Sequence, residues 1–168
     1  NELAQLVELT DSIQYSGKGR VILIEGEAGI GKSRVLAEYQ NYLASKDIRP
    51  IIGHCYTYKK NIQYWVLQDI LRSYFNTGKS DNPRHFEKQI LLKLNQIVPA
   101  EIDNYMVVLD RLFGAGFARV KKLRANETVD PVQMQSQIFW TIRDLFEKES
   151  YKKPAVLIFE DMQWADES

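Results

Sequence analysis

Apolar positions along the chain switch between a helical and a strand-like period. Leu3, Leu6, Val7, Thr10 and Ile13 follow helical spacing and run into the turn-rich Ser16-Gly17-Lys18-Gly19, which predicts a leading helix. Val21-Ile22-Leu23-Ile24 is a short unbroken apolar run between glycines, the pattern of a strand buried on both faces of a parallel sheet. We read it as the first core strand. Val35, Leu36, Tyr39, Tyr42 and Leu43 return to helical spacing, and Lys46-Asp47 leads into a second strand across Arg49-Pro50-Ile51-Ile52-Gly53-His54-Cys55-Tyr56. Strand, helix and strand make a βαβ unit, the seed of a doubly wound parallel sheet.

From about Gln63 to Glu149 the pattern is helical. Leu67, Ile70, Leu71 and Tyr74 form one stripe. Phe86, Ile90, Leu94 and Ile97 form a second behind Asn82-Pro83, where proline suits a first helical turn. Val108, Leu109, Leu112 and Phe113 form a short third, with Gly114-Ala115-Gly116 as its stop. Met134, Ile138, Phe139, Ile142, Leu145 and Phe146 form a fourth, entered through Asp130 as cap and Pro131 as first residue. Residues 114–130, carrying Arg119, Lys121, Lys122 and Arg124 with little periodicity, read as a mobile basic loop, a solvated connector. Ala155-Val156-Leu157-Ile158-Phe159 restores a buried-strand pattern and ends in Glu160-Asp161. Adjacent carboxylates at the C-terminal tip of a parallel strand stand where open α/β sheets bind ligands.

Composition narrows the partners. Twenty-two basic residues balance twenty-two acidic ones, so electrostatics gives no reason to expect direct nucleic-acid or membrane binding. No run of eighteen apolar residues suggests a membrane span, and no basic start followed by an apolar segment suggests a signal peptide. The single cysteine, Cys55, has no internal disulfide partner, which favours a reducing, cytoplasmic setting. His54, His85 and Cys55 lack metal-ligand spacing. Tyr64 and Trp65 open an apolar helix face and are read as core rather than as base-stacking platforms. The length, 168 residues, suits one domain over 1–168. It divides into a βαβ unit over 1–60, a helical insertion over 61–150 and an acidic strand over 151–168. The chain starts inside a helical pattern and stops just after that strand, so a domain truncated at both ends is expected.

Gly26-Glu27-Ala28-Gly29-Ile30-Gly31-Lys32-Ser33 matches G-x-x-x-x-G-K-[ST] in full. With glycine near 7% of residues, a chance match somewhere in such a chain arises on the order of 1% of the time or less, and the predicted flanking strand and helix lower that further. Glycines let the backbone turn successive N–H groups inward around a phosphate. A helix start near Lys32 adds its positive dipole end, the Lys32 ammonium reaches the β- and γ-phosphates, and the Ser33 hydroxyl is suited to Mg²⁺. The expected ligand is ATP with Mg²⁺. The acidic strand supplies what this loop lacks, a carboxylate for the metal shell and another for the attacking water. Glu160 is assigned first to the metal and Asp161 to the water; the reverse stays open, because the order rests on register alone.

Together with Arg34, that loop and the run Val156-Leu157-Ile158-Phe159-Glu160-Asp161-Met162-Gln163-Trp164-Ala165-Asp166 resemble the AAA-type ATPase domain of STAND signalling NTPases. Gly53-His54-Cys55-Tyr56 followed by Gln63-Tyr64-Trp65 resembles members associated with class III nucleotide cyclases. The resemblance implies an α/β P-loop NTPase fold: a parallel sheet flanked by helices, with a helical insertion between the second strand and the acidic (Walker B) strand. It implies catalytic or phosphate roles for Lys32, Glu160 and Asp161, nucleotide contact along Gly26 to Arg34, and metal contact at Ser33, Glu160 and Asp161. It also implies covalently linked partners, a nucleotide cyclase, kinase or DNA-binding module, and a nucleotide-dependent oligomer. The family commonly has Asp at Glu160 and often His at Gln163, and its Gly-Arg-Glu start, sensor strand and helical lid lie outside these residues. Trp164 and Asp166 are read as structural, a buried indole and a helix-capping carboxylate.

These features predict an ATP-hydrolysing module of a larger signalling protein. Two alternatives stay open: a nucleotide-binding switch or scaffold with negligible turnover, and a small-molecule kinase whose acceptor sits in the helical insertion.

Overall fold

The structure is a computed structural model and describes residues 2–59, 61–78, 82–123 and 131–165. It divides into two compact units: Asn1–Pro50 with Lys153–Val156, and Ile51–Lys152 with Leu157–Ser168.

In the first unit, α1 (Glu2–Ser16) and α2 (Lys32–Ser45) pack around Leu6, Tyr39, Leu43 and Ile48. Thr10 interrupts the apolar face without cost because its hydroxyl is satisfied: it donates to the Leu6 carbonyl at 2.7 Å. Its single hydrogen is thereby used, so Tyr39 Oη, 2.6 Å away, is the donor in the second bond. Tyr42 donates to Asp11 at 2.6 Å, and burial, followed by that carboxylate, pushes its phenol up to about 12.

The predicted first core strand is corrected here. Residues 21–24 carry no strand, Val21 and Leu23 are exposed (102% and 76%), and Ile24 alone packs partly against the α1–α2 core. A strand needs ladder partners for its N–H and C=O groups. Among the described residues the one ladder joins two other segments, so of the expected βαβ unit the helix and the second strand form and the first strand does not.

That ladder lies in the second unit. β1 (Ile51–His54) and β2 (Leu157–Glu160) pair in parallel, with Ile51 opposite Leu157 and His54 opposite Glu160. Both strands are shorter than the sequence pattern, and β2 is not buried on both faces: Ile158 is 7% exposed and Phe159 41%. α3 (Trp65–Tyr74) packs closely on β1. The close approach requires glycine at position 53, where a Cβ would lie 2.4 Å from Ile70 Cγ1 and 3.2 Å from the Val66 carbonyl oxygen. α3 also takes up two β1 amides: Ile52 N–H donates to Ser73 Oγ at 3.2 Å and His54 N–H to Asp69 Oδ2 at 3.0 Å. Side chains of a helix thus satisfy strand groups that would otherwise invite another strand.

With α3, the rest of this unit is helical: α4 (Pro83–Ile97), α5 (Ile102–Phe113), α6 (Ala118–Leu123) and α7 (Pro131–Ser150). Leu71, Phe86, Ile90, Leu94, Met106, Leu109, Ile138 and Leu145 fill its core. Asn82 caps α4, accepting from the Arg84 N–H at 2.9 Å, and Pro83 follows as the first helical residue. Gly114 ends α5 in the left-handed conformation at φ 58°, as a stop signal requires. Of the α7 stripe, Ile138 and Leu145 are fully buried, whereas Phe139 is 42% exposed.

Residues 118–123 correct the expectation of a loop. Glu87 caps α6 by accepting from the N–H groups of Ala118 and Arg119, Arg119 pairs with Asp103, and Phe117 and Val120 are buried. A helix of one and a half turns is too short to show periodicity, and its cap comes from another helix. Arg124 and Asp130 lie outside the described residues.

Candidate functional site

The glycine loop belongs to the first unit. Gly29 and Gly31 have φ of 83° and 106°, a region closed to most L-residues, which explains why those two positions are glycine. A Cβ on Gly26 would stand 3.0 Å from Ile30 Cγ2, so the start of the loop is also tight. Gly31 is the N-cap of α2 and has no side chain to satisfy the helix's leading amides, while its carbonyl accepts from Arg34 and Val35 at 3.0 and 3.1 Å. Lys32 folds back over the loop: its ammonium donates to the carbonyls of Gly26 and Glu27 at 2.6 and 2.9 Å. Glu27, Ala28 and Ile30 are exposed and contribute chiefly backbone; a 3.4 Å bond from Ile30 N–H to the Glu27 carbonyl makes the turn between them. Ser33 is exposed in the first helical turn. Arg34 pairs outward with Glu38 at 3.0 Å, one helical turn on.

This donor set fits a phosphate chain with Mg²⁺. One ammonium, the free leading amides of a helix and a hydroxyl occur together on an open loop, and the helix dipole has the sign that favours an anion.

Glu160 and Asp161 belong to the second unit. Glu160 is the last residue of β2 and is half-buried, and its backbone carbonyl accepts from the Cys55 N–H at 3.0 Å, continuing the pairing with β1. Asp161 is exposed, with φ 58°, a conformation that Asp and Asn tolerate better than most residues. It opens a 3₁₀ turn over Met162–Trp164, and Gln163 donates to its carboxylate at 3.3 Å. The carboxylates therefore differ: one is held beside the sheet and one is exposed on a turn, where Gln163 donates to it.

Beside Glu160 the structure brings in two residues that sequence reasoning missed. His54, opposite Glu160 in the β1–β2 register, places Nε2 3.9 Å from Glu160 Oε1. Its Nδ1 lies 3.2 Å from Oδ2 of Asp69, the same oxygen that accepts the His54 N–H. Asp69 is 7% exposed and shares its face of α3 with Ser73, one turn on, which takes up the other β1 amide. Trp65 is half-buried and donates its indole N–H to the His54 carbonyl at 3.1 Å, whereas Tyr64 is buried, so the core role holds for Tyr64. Trp164 is 41% exposed, which corrects the expectation of a buried indole, and Asp166 lies outside the described residues.

Among the described residues no group of three or more His, Cys, Asp or Glu side chains is arranged to hold a metal, and no helix is long and apolar enough to cross a membrane.

The family model described as AAA ATPase domain matches residues 1–168. A curated protein of Rhizobium meliloti (strain 1021), described as uncharacterized, is 29% identical over 168 residues, covering 99% of this chain. The chain spans 15% of the length of that relative. No solved structure matches.

Proposed function

The chain belongs to the AAA ATPase domain family, and from that premise we propose that it binds ATP with Mg²⁺ on the Gly26–Ser33 loop and hydrolyses it as one module of a larger signalling protein. The observation that carries this reading is the loop itself: two glycines in the left-handed region, an N-cap without a side chain, and the Lys32 ammonium folded over the loop start. In the proposed mechanism the backbone amides from Gly29 to Ser33 surround the β-phosphate, and Lys32 exchanges its two carbonyl acceptors for phosphate oxygens of greater charge. Mg²⁺, when bound, neutralises the charge that develops on the β- and γ-oxygens. Ser33 offers it a hydroxyl and Glu160 a carboxylate. Asp161, exposed on its turn, orients the attacking water; the exchanged assignment of Glu160 and Asp161 is tested by the same variants. The modest share of the Rhizobium relative's length that the chain covers supports a multidomain setting. We place the protein in the cytoplasm, with its output domain, of cyclase, kinase or DNA-binding type, on the same polypeptide.

Isothermal titration with Mg·ATP, comparing wild type with Lys32→Ala, tests the binding half. A charge-assisted bond is worth about 1.5–3 kcal/mol, so affinity should fall roughly 10- to 150-fold. Equal affinity for the two proteins refutes the loop assignment. Phosphate release from wild type, Glu160→Gln and Asp161→Asn tests the other half. Tight binding with no release from wild type would favour a nucleotide-binding switch.

A further inference from the structure

We propose that the groove between α5 and α7 binds a small, neutral, polyhydroxylated molecule, a mono- or disaccharide, at a site separate from the phosphate loop. The two helices pack together and leave an open groove of about 340 Å³ along their outer seam, at the small end of the size range of ligand sites. Glu101, Asn104 and Tyr105 line it from α5 and its cap, and Trp140, Thr141 and Asp144 line it from α7. Spacings of three and four residues put each set on one helix face. One end of the groove carries a fixed polar network. Lys148 donates to Asp144 Oδ2 at 2.8 Å and to Glu101 Oε1 at 3.0 Å, and the Tyr105 hydroxyl donates to the same Asp144 oxygen. Asp144 is held below the ordinary aspartate value, first by the bond from Lys148, so it is ionised and only accepts. Glu101 stands at the N-cap position of α5 yet its side chain makes no cap bond, and its carboxylate goes to Lys148 instead. One oxygen of each carboxylate is spent on this network, and among the described residues Asp144 Oδ1 and Glu101 Oε2 are the acceptors left for a ligand.

Charge decides what fits. An anion entering the groove would face two carboxylates. A cation would face Lys148 and the Arg143 guanidinium, which already stands over the Trp140 ring at 5.1 Å. An apolar ligand would strip water from the carboxylates, the Asn104 amide and the Thr141 hydroxyl without replacing the hydrogen bonds lost. A neutral polyol meets each demand. Its hydroxyls donate to the carboxylate oxygens, and the Asn104 amide both donates to them and accepts from them. The apolar C–H face of its ring lies on the indole of Trp140, which is 62% exposed and offers a large flat surface that the protein itself leaves uncovered.

Isothermal titration and tryptophan fluorescence of the chain with D-glucose, D-galactose, D-mannose, maltose and sucrose test the site. At least one of these sugars should bind saturably, with Kd in the millimolar range or tighter and a change in emission. No saturable signal from any of them at up to about 50 mM overturns the proposal. Trp140→Ala and Asn104→Ala alter exposed side chains, so both should keep the circular dichroism and urea midpoint of wild type. Each should weaken the best-bound sugar about 2- to 12-fold, the worth of one ring contact or one hydrogen bond. Unchanged affinity in both variants places the sugar elsewhere and overturns the groove as its site. The amino and phosphate derivatives of the best-bound sugar should bind less tightly than the sugar itself, and tighter binding of either overturns the charge argument. The groove shares no residue with Gly26–Ser33, so sugar titration of Lys32→Ala should match wild type, and failure of either site leaves the other standing.

Discussion

Substituting Gly53→Ala tests the contact that joins the sheet to its neighbouring helix. The added Cβ would sit 2.4 Å from Ile70 Cγ1, whereas carbon atoms in van der Waals contact stand about 3.5–4.0 Å apart, so more than about 1 Å must be found somewhere. Ile70 is 1% exposed and cannot swing into solvent, and the Val66 carbonyl 3.2 Å from the new atom blocks the adjacent route. α3 must then withdraw from β1, lengthening the bonds from Ile52 to Ser73 and from His54 to Asp69. Overpacking costs about 1–3 kcal/mol and each weakened bond about 1 kcal/mol, while removing a strand glycine returns about 0.5–1 kcal/mol. The expected net loss is about 2–4.5 kcal/mol, a large part of the roughly 5–15 kcal/mol that holds a domain folded. Urea unfolding followed by far-ultraviolet circular dichroism measures it. Ile70→Ala removes the colliding carbon and should itself cost about 2–5 kcal/mol. The double variant should be more stable than the sum of the single losses by about 1–3 kcal/mol, because the new methyl then fills space that has been vacated. A Gly53→Ala protein within about 0.5 kcal/mol of wild type, or strict additivity in the cycle, would refute the packing argument.

Three further outcomes are expected. Asp161→Asn should keep the urea midpoint of wild type and Asp161→Ala should lose about 1–2 kcal/mol, since alanine at φ 58° lacks the short polar side chain that tolerates this conformation; equal midpoints for the two variants would remove the strain argument. Asn82→Ala should cost about 0.5–2 kcal/mol through the lost cap of α4, read as a lower thermal midpoint, and an unchanged midpoint would contradict the cap seen at Arg84 N–H. Asp144 is held below its ordinary value of 3.8, first by the hydrogen bond from Lys148 and then by that from Tyr105. Because its folded-state value is depressed, its contribution to stability is present above the ordinary aspartate value and is lost as pH falls through the lowered one. Asp144→Asn should therefore be less stable than wild type at neutral pH and should lose less on acidification, and parallel stability–pH curves would count against the Lys148–Asp144 pair.

The sequence by itself determined the features whose causes lie within a few residues. The glycine loop is legible because backbone conformation and lysine reach are local, and Gly29 and Gly31 do take φ values that demand glycine. The cap at Asn82, the stop at Gly114 and the stripes of α3, α4, α5 and α7 are legible for the same reason: capping and helical periodicity act across one or two turns. Tertiary structure alone decided which strands pair. An apolar run at Val21–Ile24 and another at Ile51–Ile52 look alike along the chain, yet only the second joins Leu157–Glu160, because pairing depends on segments a hundred residues away. The short helix α6 also follows from a distant partner, since its cap, Glu87, belongs to another helix. The cluster of Asp69, His54 and Glu160 has the same origin: a helix face, a strand end and the tip of a neighbouring strand converge on it, and no spacing within the sequence encodes that convergence.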